Sequence, residues 1–167
     1  QQDLLIYQES EDYYLLSEIY PQAIALYENN QWQDDPSYNN LLHANLMYQA
    51  SENPEYNAQP DILKLAALFG KESIGYAEVL VDVLTWTNAP DSKKQLLGRL
   101  TQLEAHQKYQ TLLNALTHLR YLYEQDQQLG AYESLLNEYM HIFKSQAADL
   151  YPYLYHAHYQ HLFAQHK

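Results

Sequence analysis

Apolar residues recur along this chain at helical steps of three and four, and they predict helices from end to end. A first helix is expected from about Asp3 to Tyr20 on Leu4, Leu5, Leu15, Leu16 and Ile19, with Pro21 kinking or restarting it and Ile24, Leu26 and Tyr27 extending the pattern. Asp35-Pro36 reads as an N-cap followed by proline at the first helical position, opening a helix to about Gln49. Residues 51–60 form a polar loop, Pro60 opens a short helix that Gly70 stops in the left-handed region, and another runs from Glu72 to Thr87. Asn88, Ala89 and Pro90 break the pattern, and Asp91 or Ser92 caps the next segment. The stripe Ala105, Tyr109, Leu112, Leu116, Leu119, Tyr123 follows a phase change near Ala105, where a break is expected. Gly130 should end that run, leaving helices from about Ala131 to Ala148 and from Pro152 to Gln165. The last carries Leu154, Tyr155, His158, Tyr159, Leu162 and Phe163 on one broad face.

The expectation is an all-α fold of seven to eight helices in antiparallel hairpins, forming one domain over residues 1–167. The segments ALYENNQW (Ala25 to Trp32) and YLYEQDQQ (Tyr121 to Gln128) are alike, and each resembles the end of the first helix and the turn of a tetratricopeptide repeat. That resemblance implies a short stack of helical hairpins; the other arrangement is an irregular bundle. Where the repeat pattern asks for a small residue in a second helix, Asp34-Asp35-Pro36 interrupts the first copy and Leu129-Gly130 the second.

Composition narrows the chemistry. A chain of 167 residues can bury roughly two-thirds of its unfolded surface, so no staple is required. It has no Cys, which removes disulfides, thiolate zinc sites and Cys nucleophiles. The apolar stretches Ile62 to Phe69 and Val79 to Leu84 fall short of the ~20 residues that span a bilayer. The opening Gln1, without Met, suits a trimmed or a processed chain.

Charge changes the picture most. Residues 1–63 hold eleven acids and no Lys or Arg, whereas ten acids face nine bases from Lys64 onward. Such a segment repels phosphate backbones, disfavours nucleic acid and steers toward a basic protein partner. The residues expected to carry that contact are Glu9, Glu11, Asp12, Tyr13, Glu28, Trp32, Asp34 and Asp35. Eighteen Tyr stand against three Phe and two Trp, and a residue with an apolar ring and a wet hydroxyl suits interfaces as well as core boundaries.

Catalytic signatures are missing: there is no Gly-x-Ser-x-Gly elbow and no Gly-rich loop after a strand, and Gly70-Lys71-Glu72-Ser73 lacks the upstream glycine of a phosphate loop. The chain is expected not to be an enzyme and to need no cofactor. The reading that follows is an interaction module with an acidic, Tyr-rich face, of the adaptor, chaperone or immunity-type inhibitor kind. The alternative is a metal or haem binder, with Glu138 and His141 on one helix face meeting His158 and His161 on the next helix.

Overall fold

A computed structural model describes residues 13–53, 56–87 and 91–165, with backbone alone for 13–15, 158 and 160–165. Among the described residues there are eight helices and no strand, so the chain is all-α. They are α1 Tyr13–Asn29, α2 Pro36–Glu52, α3 Gln59–Phe69, α4 Ile74–Trp86, α5 Ser92–Ala105, α6 Tyr109–Gln125, α7 Leu129–Gln146 and α8 Tyr151–Gln165. No helix among the described residues is long and apolar enough to cross a membrane. The helices fall into two compact units, Gln1–Ala89 and Pro90–Lys167.

In the first unit α2 is central and packs on α1, α3 and α4. Its start follows the sequence: Pro36 sits at the first turn, and Asp35 accepts the Ser37 amide at 2.8 Å. The buried row Tyr38, Leu42, Leu46, Ala50 meets Leu16 and Tyr20 of α1, Ile62 and Leu65 of α3, and Tyr76, Leu80 and Leu84 of α4 within this unit's core. Pro21 lies inside α1 and does not restart it, and the helix runs on through Ile24, Leu26 and Tyr27 to Asn29 as expected. Two boundaries differ from expectation. The expected loop at 51–60 is shorter, because α2 runs to Glu52 and α3 begins at Gln59. Helix α4 starts later than Glu72, at Ile74, because Ser73 accepts the Tyr76 amide at 3.1 Å. Gly70 does stop α3, at a φ of 80°.

In the second unit α6 packs on α5, α7 and α8, with Leu112, Ala115, Leu116 and Leu119 fully enclosed. The expected break near Ala105 is present, since α5 ends there. Gly130 is no stop; it lies in the first turn of α7. Gln127 ends α6 instead, at a φ of 58°. Its amide bonds Glu124 O at 3.0 Å while Gln128 reaches back to Tyr123 O at 2.8 Å, the paired bonds of a Schellman cap. Lys93 of α5 clamps this turn, donating to Asp126 and to Gln128 and standing 4.4 Å over the Tyr123 ring.

The same cap recurs twice. At the end of α1, Gln31 has a φ of 58° and bonds Glu28 O, while Trp32 bonds Tyr27 O. At the end of α5, Gln107 has a φ of 57° and bonds Glu104 O, while Lys108 bonds Leu103 O. The two alike segments thus occupy equivalent turns, and a third, Leu103 to Lys108, joins them: Glu-x-x-Gln closes three of the eight helices.

Candidate functional site

The division into units separates charge completely. The first unit carries fourteen acids against two bases, Lys64 and Lys71, while the second carries seven of each. The net charge of −12 belongs to the first unit alone.

At its α1–α2 corner the cap holds the chain so that Trp32 remains 51% exposed. The Trp32 ring meets Tyr27 edge-on at 6.0 Å, and Tyr27 stacks on Tyr38 at 5.9 Å. Asp34 and Asp35 stand exposed beside it. The amide and hydroxyl of Ser37 hold the Asp35 carboxyl below the usual carboxylate range.

Tyr38 links this corner to a groove. Its hydroxyl donates to Glu28 Oε1 at 2.6 Å, and Lys64 Nζ donates to the same oxygen at 2.5 Å. Lys64 first and Tyr38 second lower the Glu28 carboxyl, and burial opposes them only in part. Burial works against charge on Lys64, but the bonds to Glu28 and Tyr38 outweigh it and raise the ammonium. Among the described residues no donor reaches Glu28 Oε2.

The groove lies between α1, α2 and α3, encloses about 330 Å³, and is lined by Pro21, Ile24, Ala25 and Glu28 of α1, Leu42, Asn45 and Gln49 of α2, and Tyr56, Asp61 and Lys64. The Tyr56 hydroxyl donates to Asp61 Oδ2; burial, then that carboxylate, pushes the phenol well above its usual range. Asn45 Oδ1 is buried without a hydrogen-bond partner. A helix end, a half-buried α2 and a short loop thus bring apolar walls and acceptor oxygens together.

On the other flank of α2, His43 Nε2 lies 3.8 Å from Asp82 Oδ2 of α4. Burial lowers the His43 imidazole, with Asp82 opposing, and burial raises the Asp82 carboxyl, with His43 opposing.

Of the residues expected to meet a partner, Glu28, Trp32, Asp34 and Asp35 share this corner and groove rim; Tyr13 is described by its backbone alone, within α1; Glu9, Glu11 and Asp12 lie outside the described residues. The sequence reading missed Asn45, Gln49, Tyr56, Asp61 and Lys64. The available signal was α2 itself, in which Asn39, Asn40, His43, Asn45 and Gln49 are interspersed with the apolar positions Leu41, Leu42, Leu46 and Met47. The exposed tyrosines with described side chains, Tyr121, Tyr153, Tyr155 and Tyr159, lie on the second, charge-balanced unit, whereas the exposed aromatics of the first are Trp32 and Trp86.

For the metal reading, α7 and α8 do pack together. Glu138 and His141 are both exposed, set off from the buried row Tyr132, Leu136, Tyr139, Phe143, and the side chains of His158 and His161 lie outside the described residues. Among the described residues no group of three or more His, Asp or Glu is arranged to hold a metal ion.

No family model, no curated protein and no solved structure matches the chain. Function is therefore read from the geometry of the corner and the groove.

Proposed function

We propose that the protein is a non-enzymatic interaction module whose acidic first unit binds a basic protein partner, as an adaptor or an inhibitor would. The observation that carries this reading is the grouping of exposed Trp32, Asp34 and Asp35 with the groove carboxylates Glu28 and Asp61 on the unit that holds the whole net charge, Tyr27 and the buried Tyr38 linking corner to groove beneath the surface. Large rigid aromatics at a rim of like charge give contact area at low entropic cost, while the field guides a cationic surface in. Both tryptophans lie in this unit.

The test uses Trp86→Phe protein, in which Trp32 is the single tryptophan, titrated with nona-arginine and with nona-glutamate as control. Saturable binding of nona-arginine at one per chain is expected, with a change in Trp32 emission. Affinity should fall steeply with added salt, since exposed charges are screened over about 8 Å at physiological ionic strength. Asp34→Asn with Asp35→Asn should weaken binding while asparagine preserves the α2 cap. Binding indifferent to ionic strength, or no binding of the cationic peptide, overturns the proposal.

A further inference from the structure

We infer that the groove between α1, α2 and α3 is a receptor for one guanidinium group, the side chain of an arginine projecting from the basic partner; this rests on the reading of the first unit as a module for such a partner. The volume sets the first limit. About 330 Å³ is at the small end of ligand pockets, room for one long side chain and not for a folded segment. The walls set the second. Ile24, Ala25 and Leu42 offer apolar surface to an alkyl stem, while the polar groups gather at Glu28, Asn45, Asp61 and Lys64.

Charge and acceptor supply then select the head group. Two carboxylates face one ammonium around the groove, so one positive charge is wanting. Tyr38 and Lys64 both use Glu28 Oε1, and Tyr56 uses Asp61 Oδ2. Among the described residues Glu28 Oε2 and Asp61 Oδ1 receive no donor. Carboxylate acceptors on two different helices, α1 and α3, suit a planar head with five donors set in a fork better than a compact, strongly hydrated ammonium.

The experiment follows backbone amides of isotope-labelled protein by NMR while n-butylguanidinium, n-pentylamine or the neutral isostere n-butylurea is added. The guanidinium should shift amides of α1, α2 and α3 around the groove and bind roughly tenfold or more tightly than the urea, the difference a charge-assisted hydrogen bond makes. Asp61→Asn should weaken it, and Ala25→Phe, at an exposed helix position where a larger side chain leaves the fold intact, should block it. No shift at the groove amides, an equal response to n-pentylamine or n-butylurea, or unchanged binding in Ala25→Phe overturns the inference. The two proposals separate in one further titration: nona-arginine that binds Ala25→Phe as tightly as the parent sinks the groove and leaves the acidic module standing, whereas nona-arginine that fails on the parent protein removes the module itself.

Discussion

Three helices end on a glutamine held in the left-handed region, a position that normally belongs to glycine. Gln107 and Gln127 close α5 and α6 at φ of 57° and 58°, and both lie in the second unit. For an L-residue with a Cβ, this conformation costs about 1–2 kcal/mol. Replacement by glycine removes that strain but adds unfolded-chain freedom worth about 0.5–1 kcal/mol. The net expectation is a gain of roughly 0.5–1 kcal/mol for each of Gln107→Gly and Gln127→Gly, the bonds of Lys108 to Leu103 O and of Gln128 to Tyr123 O being kept. In a unit of this size, each kcal/mol moves the thermal midpoint by about 4–8 °C.

Far-UV circular dichroism melts of the two single variants and the double variant measure the effect. Tryptophan emission separately follows the first unit, which holds both Trp32 and Trp86. Gln127→Ala is the control: alanine keeps the Cβ and the strain, and should give no gain. If the glycine variants melt no higher than the parent, or if alanine stabilises as much as glycine, the caps are not strained in the way their dihedral angles imply.

Two other predictions concern the second unit. Burial lowers the His118 imidazole, so the unfolded chain takes up its proton first; stability is full above the ordinary histidine value of about 6.5 and declines as pH falls toward the lowered folded value, at no more than about 1.4 kcal/mol per pH unit. Denaturant titrations at pH between about 7 and 5 should show that slope, and His118→Leu should flatten it. The buried Tyr132 hydroxyl donates to Leu116 O at 3.1 Å, so Tyr132→Phe should cost about 1 kcal/mol in a urea titration, whereas Tyr121→Phe, at a half-exposed site, should cost close to nothing.

The helices were legible where local chemistry decides them. Asp35-Pro36 announced α2, and the stripe Leu112, Leu116, Leu119, Tyr123 became the buried seam of α6, because caps and helical periodicity act within a few residues. The end of α6 was misjudged for an equally local reason. Gly130 is the residue best suited to a left-handed turn, but the turn falls three positions earlier on Gln127, and the spare glycine is absorbed into α7. Glutamine has no special fitness for positive φ. Only the repetition of Glu-x-x-Gln at Glu28, Glu104 and Glu124 carries the signal, and two of its three copies stood out in the sequence.

The candidate site shows the opposite balance. Its sign was readable, because charge is a property of composition: the acids of residues 1–63 have no bases among them wherever the chain folds. Its shape was not. Glu28 meets Lys64 across 36 residues, and Asp61 reaches the groove only because α3 packs beside α2. Asn45 and Gln49 look like surface positions on a helical wheel. They become groove lining because α1 and α3 both pack on α2. A polar group that such packing buries is stable only with a hydrogen-bond partner. Tyr38 and Tyr56 found theirs in Glu28 Oε1 and Asp61 Oδ2, which leaves the second oxygen of each carboxylate open at the groove. Those two open oxygens, held on α1 and α3 around one groove, are what turn a general acidic surface into a place with a shape and a preferred head group.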